Sequence, residues 1–453
     1  FYFFSTDLAA TIILTFQAAF LVLPVVGLYR HFGLVSALAF SFYFPLWYNA
    51  LFDFHMDHLA IPILFGFFFY ERKGKLYQAI SLAVLLSLVK EPFALQTAFC
   101  GLYLLARKNY LSGFFLTLFG VAYFTLATQY MQQYFNSPFI SIVGGWDLVS
   151  ENTAFGWLGN SKQEIILSLI TQPYFVLLEI LNNEDKVKYF MYVFGALGFI
   201  PLLRPIILLP AIPILLISLL SNIPVHHAYN NHYTAGLVAP MIIAFSEGLP
   251  SAKKLWQKTN FPKYLFTPIL IGGLLLCHIL ASPSPISRIF FIEKSWFYHY
   301  TVYLPSKRTQ MIKSALTKYI PTNSEIVVTT QNTLNSGYLS KHKTIFVFPD
   351  GAIEKGSIPR INQLNLDGFW KFIKNQKLEK STTSSAWADY VVLDIKKPWF
   401  IISLGCYWVQ GTCLKGQQEF ANRFSSLVAK TKEHFEMVYE NDGFIILKYR
   451  GSL

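Results

Sequence analysis

The seven residues from Phe52 to His58, FDFHMDH, hold two carboxylates, Asp53 and Asp57, and two imidazoles, His55 and His58. If the stretch opens a helix, Asp53 and Asp57 stand at i and i+4 on one side. His55 and His58 then stand at i and i+3 on a neighbouring side. That spacing suits a divalent metal, a general base with an orienting partner, or a histidine pair for phosphate. A plainer role is helix capping, since carboxylates suit an N-terminus. Capping needs one acid, however, not two acids and two histidines.

Two further stretches carry similar chemistry. Lys90-Glu91-Pro92 follows an apolar run, and Pro92 suits the first turn of the next helix because its missing N–H costs nothing there. Glu91 is a candidate acid or base, or simply an ion-pair partner for Lys90. VHHAYNNHY places His226, His227, Asn230, Asn231, His232 and Tyr233 between two apolar segments. Imidazoles, amides and a phenol line sugar or phosphate sites well; a solvated interfacial loop is the simpler account.

The elements that must position these groups are oily. The 453-residue chain is 53% hydrophobic and 17% aromatic but only 14% charged, against about 25% charged in soluble domains. This composition expects an integral membrane protein. The net charge of +12 is explained by basic loops, and no motif for nucleic acid stands beside it. Apolar runs at 8–29, 32–50, 58–70, 76–89, 93–106, 111–131, 188–203, 205–222, 233–248 and 264–282 give about ten segments. Several are shorter than the roughly 20 residues of a straight span.

Basic loops at Arg30, Arg72 to Lys75, Arg107-Lys108, Arg204 and Lys253 to Lys263 alternate with loops poor in Lys and Arg. The positive-inside rule puts the basic set in the cytoplasm. All three polar stretches then face outward, as does an insert at about 132–188. Within it, Lys162 to Ile170 and Tyr174 to Leu181 read as amphipathic pieces, suited equally to the interface or to an ordinary solvated loop. The reading is thus a mainly α, polytopic helical membrane domain over 1–285.

Past the linker signal SPSPISR the charge density rises. Glu325 to Thr330, Thr344 to Phe348, Tyr390 to Ile395 and Phe444 to Tyr449 read as strands and Lys307 to Tyr319 as a helix. Residues 286–453 are expected to form a small α/β domain on the outer side. Cys100 and Cys277 lie in apolar runs as small hydrophobes, whereas Cys406 and Cys413 flank YWVQGT in a polar region where a disulfide is feasible.

FDFHMDHLAIP, LVKEPFAL, YNNHYTA, the tail run YIPTNSEIVVTTQNTLNSGYLSKHKTIFVFP, then ADYVVLD and NDGFIILKYR together resemble a domain-of-unknown-function family of bacterial polytopic membrane proteins. The resemblance covers nearly the whole chain. That family is grouped with the GT-C glycosyltransferases, so the resemblance implies a GT-C-like fold in the bacterial cytoplasmic membrane. It also implies transfer of a sugar from a polyprenyl-phosphate donor to an acceptor on the outer face. GT-C enzymes typically carry an essential Asp in the first outward loop. Asp7, at the edge of the first segment, is a poor counterpart, so that loop is expected to lie before Phe1.

For the base the candidates are Asp57, Asp53 and Glu91. For donor phosphate and sugar they are His55, His58, Lys90, His226, His227, Asn231, His232 and Tyr233. A divalent metal bridging phosphate and carboxylates is compatible with both sets. The partners expected are the bilayer, a lipid-linked donor and proteins of a membrane complex. The alternative is a non-catalytic scaffold or accessory subunit, in which these groups would be paired off with one another and enclose no cavity. A transporter fits less well, because transporters place titratable groups near the midplane and here they gather at segment ends.

Overall fold

The computed structural model describes residues 6–131, 154–159, 161–292, 298–304, 306–323, 325–330, 342–345, 348–358, 384–396 and 417–451, with Tyr134 and Leu339. Cys406, Cys413 and the start of the insert lie outside the described residues. Two compact units emerge. One comprises Leu8–Gln132 and Ile140–Tyr300; the other is mainly Thr301–Leu453.

The first unit is helical. Its N-terminal half runs α1 (Thr6–Phe32), α2 (Leu34–Phe42), α3 (Phe44–Leu51), α4 (Ala60–Arg72), α5 (Leu76–Ser87), α6 (Glu91–Ala106) and α7 (Tyr110–Thr125). Every apolar run read from the sequence contains a helix, but the ten segments are not ten spans. Among the described residues four stretches are long and apolar enough to cross a membrane: Leu8–Phe32, Tyr110–Met131, His232–Trp256 and Lys263–Ala281. Two bent pairs raise the number to at most six. These are α2 with α3, bent by 53°, and Gln163–Thr171 with Pro173–Asn182, bent by 92°.

The breaks have local causes. Tyr43 is extended between α2 and α3, and Pro45 sits in the first turn of α3, where its ring is tolerated. Pro173 opens the second arm of the other pair. Both amphipathic pieces of the insert are helices, and Ile166, Ile170, Tyr174 and Leu181 on them are exposed.

The helix Ala235–Trp256 is the hub; Leu237 to Phe245 are all buried. It runs parallel to α4. Asp57 and His232, which precede these helices, meet at 3.8 Å. Fifteen residues further along each, Arg72 and Glu247 pair at the other end. That interval is about 22 Å of helix rise, so the pair holds two polar ends apart.

The far end is basic and tied together. Arg204 donates to the Glu247 carbonyl at 2.9 Å, Arg107 pairs with buried Glu71 at 3.3 Å, and Tyr103 donates to Glu71 at 3.0 Å. Between α6 and α7 small residues allow close contact. A Cβ on Gly120 would lie 2.4 Å from the Ala98 nitrogen, and one on Gly101 would lie 2.4 Å from the Thr117 nitrogen.

The second unit is built on a five-stranded sheet of order β2-β1-β5-β7-β6. Its strands are β1 (Val327–Thr330), β2 (Lys343–Ile345), β5 (Tyr390–Asp394), β6 (Phe435–Asn441) and β7 (Phe444–Tyr449). β3 (Gly356–Ile358) and β4 (Ser384–Ala386) form a separate antiparallel pair. β1, β2 and β5 run parallel; β7 and β6 run antiparallel.

Alternation along the strands gives the sheet two apolar faces. Val327, Val391, Leu393, Ile445 and Leu447 meet Phe424 and Val428 of the helix Gln417–His434. Val328, Val392, Phe444 and Ile446 meet Ala315 and Leu316 of the helix Lys307–Tyr319. At one end Arg308 holds Asp394 with two 2.8 Å bonds and Asp442 with one of 2.9 Å.

Candidate functional site

FDFHMDH does not open a helix. Phe52 to His55 are non-helical, and a short 3-10 turn, Met56–Leu59, leads into α4. Asp53 and Asp57 therefore do not share a helix face. Asp53 is exposed, and its backbone carbonyl accepts from Gln17 at 3.4 Å. Asp57 turns inward and is 4% exposed. Neither acid caps a helix, since neither the turn nor α4 has a side-chain cap. Capping thus gives no account of Asp57.

What surrounds Asp57 comes from all three polar stretches. Lys90 Nζ lies 3.6 Å from Oδ2, His232 Nε2 lies 3.8 Å from Oδ2, and His55 Nδ1 lies 3.9 Å from Oδ1. The His55 and His232 rings are stacked, with centroids 3.8 Å apart. His58 is buried beside them, its ring centre 6.1 Å from that of His55. Burial disfavours charge on Asp57, but His55, Lys90 and His232 outweigh it and hold the carboxyl below its ordinary value. The site therefore presents an ionised carboxylate with a cation beside it.

A cavity of about 30 Å³ adjoins this group, enough for a water molecule or two. Asp57, Lys90, Ser218, His226 and Tyr233 line it. His226 is held by Ser221, whose Oγ lies 2.7 Å from Nδ1. Burial drives the His226 pKa down to about 4, helped by His227 and Lys90, so the ring is neutral near pH 7. Tyr233 packs against His226 and His232, with ring centres 5.0 and 4.3 Å apart.

Other candidates play different parts. Glu91 opens α6 but does not line the cavity, and among the described residues no hydrogen bond or ion pair ties it to Asp57 or to Lys90. Lys90 pairs with Asp57 instead. His227 does not line the cavity; burial, helped by the Lys186 ammonium, pushes its pKa down to about 4. Asn231 is a cap, its Oδ1 accepting from the His232 N–H at 2.8 Å. Asn231 thus positions His232.

The sequence reading missed the supports. Gln17 on α1 is 3% exposed, and its Oε1 accepts from the His55 N–H at 3.3 Å. Asn49 on α3 is fully buried and donates to Thr234 at 2.7 Å. Ser218 and Ser221 join the cavity wall and His226. The available signal was a lone amide or hydroxyl within an apolar run, where a polar group needs a partner.

An apolar groove of about 820 Å³ runs along α1, α4 and α5. Phe20, Met56, Leu59, Phe69, Leu85 and Val89 are among its lining. Met56 and Val89 of this lining are the sequence neighbours of Asp57 and Lys90 in the ionic cluster. Phe69 and Tyr70 lie near the basic end.

A helical bundle with spans of this length and composition, and a polar cluster at one end, defines a polytopic membrane protein. The chain belongs to the family of predicted membrane proteins DUF2079, a domain of unknown function, whose model matches residues 3–395. No curated protein and no solved structure matches it.

Proposed function

We propose that this protein is a GT-C-like glycosyltransferase that moves a sugar from a polyprenyl-phosphate donor to an acceptor at the outer membrane surface. One observation carries the reading: the ionic cluster of Asp57, Lys90, His55 and His232 includes the sequence neighbours of Met56 and Val89, which line an apolar groove. A lipid phosphate needs that combination. Its chain lies in the groove between α1, α4 and α5. Its phosphate reaches Lys90 and the histidines.

The chemistry asks for positioning and charge. Asp57, ionised and beside the small cavity, takes or orients the acceptor hydroxyl proton. Lys90 and the N–H groups of the histidines stabilise the departing phosphate. Holding donor and acceptor in line removes much of the entropic barrier. Asp53, exposed on the same extended run, lies outside this cluster, and Glu91 has no role in it. The α/β unit of the C-terminal part is assigned the binding of acceptor or partner protein.

The test uses the protein in nanodiscs with a panel of radiolabelled polyprenyl-phosphate sugars. Wild type is expected to transfer. Asp57→Asn should lower the rate by a hundredfold or more, on the scale of losing a catalytic proton acceptor. Leu85→Trp, which fills the groove from a half-exposed position, should raise KM for donor with its melting temperature unchanged. Folded wild type that transfers from no donor would transfer the case to the accessory-subunit reading.

A further inference from the structure

We infer that His55, Asp57 and His232 bind one divalent transition-metal ion. Each offers one ligand atom, and the three atoms lie within 4.8 Å of one another. His55 Nδ1 and His232 Nε2 stand 3.9 and 3.8 Å from the two oxygens of Asp57. These separations are too long for hydrogen bonds. They approach those of a shared ion, because ligands at about 2.0–2.1 Å from a tetrahedral zinc stand about 3.3–3.4 Å apart. Closing a gap of 4.8 Å takes a shift of about 1.4 Å, shared between two side chains.

The second observation is the unmet demand of the buried atoms. Asp57 is 4% exposed, yet its Oδ1 has no hydrogen-bond partner, and neither has Nδ1 of His232. Both nitrogens of His58, 1% exposed, are also unpartnered. Buried polar atoms of this kind are rare and costly unless a water or ion meets them. An ion between the rings meets the demand of Asp57; His58 is not among the groups close enough to share it.

Neighbouring groups fix the backbones that carry the ligands, while the second ring nitrogen of His232 has no partner among the described residues. Gln17 holds the His55 backbone, Asn231 holds that of His232, and Asn49 anchors Thr234 behind it. The stacked rings lie 22° from parallel, so one must turn for both lone pairs to meet an ion. His55 can do so: its side chain is 34% exposed and its backbone extended.

The donor set decides the class of ion. Two imidazoles and one carboxylate favour zinc, cobalt or manganese over magnesium or calcium. Lys90, 3.6 Å from Asp57, opposes the ion by its own charge and so weakens binding. In the loaded protein Asp57 is a ligand; on the transferase reading it then orients the acceptor hydroxyl instead of taking its proton, and the ion adds its charge to that of Lys90.

The experiment titrates tag-free full-length protein in detergent, stripped with chelator, with Co²⁺, and reads visible absorption and bound metal by mass spectrometry. One ion per chain is expected, with Mg²⁺ unable to displace it. Asp57→Asn and His232→Gln should weaken binding a hundredfold or more, beyond the roughly 10–100-fold loss typical of a supporting group. Lys90→Met should tighten it severalfold. That variant removes no ligand, so it carries the test if a ligand variant does not fold. No saturable Co²⁺ binding by folded wild type, or unchanged affinity across all the variants, would overturn the site. Binding is read without turnover, so an inactive protein that still takes the ion keeps the site and loses only the transferase reading.

Discussion

His226 offers a measurement that needs no substrate. The ring is buried, its Nδ1 lies 2.7 Å from Ser221 Oγ, and its pKa is lowered to about 4. In the unfolded chain it returns to about 6.5. Between those values the unfolded state holds more protons, so stability rises with pH and levels off above about 6.5. The shift from 6.5 to about 4 corresponds to about 3 kcal/mol at most. As pH falls from about 6.5 to 4 that stabilisation is lost. His226→Asn keeps a polar atom near Nδ1 for Ser221 but cannot titrate. Melting curves in detergent from pH 4 to 8 should show wild type losing on the order of 5 °C more than the variant on the acid side. At pH 8 the two should differ by no more than the change in packing. Identical acid slopes would mean that the ring titrates in the folded protein as it does in water. The cavity would then be open and wet, and the inference of a neutral His226 would fail.

Two further outcomes probe the scaffold. Gly120→Leu forces a side chain where a Cβ already lies 2.4 Å from the Ala98 nitrogen, so α6 and α7 must part. A loss of about 1–3 kcal/mol is expected from overpacking, read as a lower melting temperature, and an unchanged melt would refute the close contact. Asp394→Asn removes the charge that Arg308 grips with two 2.8 Å bonds. Hydrogen bonds to charged groups are worth about 1.5–3 kcal/mol each, discounted here for partial exposure of Arg308. Faster proteolysis of the C-terminal unit with intact helices should follow, and equal rates would show the grip to be incidental.

Much of the architecture was legible. Hydropathy located a helix in every apolar run, and Lys307 to Tyr319 matches a helix residue for residue. What hydropathy does not carry is where a run breaks. The bend at Tyr43 and the 92° turn at Pro173 come from single residues inside apolar sequence, so among the described residues only four to six stretches are long and apolar enough to span. β6 was missed because FEMVYEN carries two glutamates and lies at the sheet edge, where only Phe435 is fully buried. At the site the residue types were legible and the register was not. Asp53 and Asp57 look equivalent at i and i+4, but the chain enters α4 through an extended run and a 3-10 turn. One acid points out and the other in. Gln17 and Asn49 escaped notice because a single amide in a helix reads as noise until its partner, 38 or 185 residues away, is known.

The site is made by the pairing of two helix entrances. α4 and the helix Ala235–Trp256 run side by side, and the residues just before each, Asp57 and His232, become neighbours for that reason. At the far end the same pairing brings Arg72 to Glu247. A slip of one helix against the other by a single turn, about 5.4 Å, would break both contacts together. The ion pair at the basic end therefore fixes the register that assembles the cluster about 22 Å away. This explains how groups from distant parts of the chain meet within hydrogen-bonding reach of one cavity. It also expects Glu247→Gln to loosen the Asp57 cluster without touching it. Backbone hydrogen exchange at His232 to Thr234, slow in wild type, should quicken in that variant, and unchanged protection would show that the two ends are set independently.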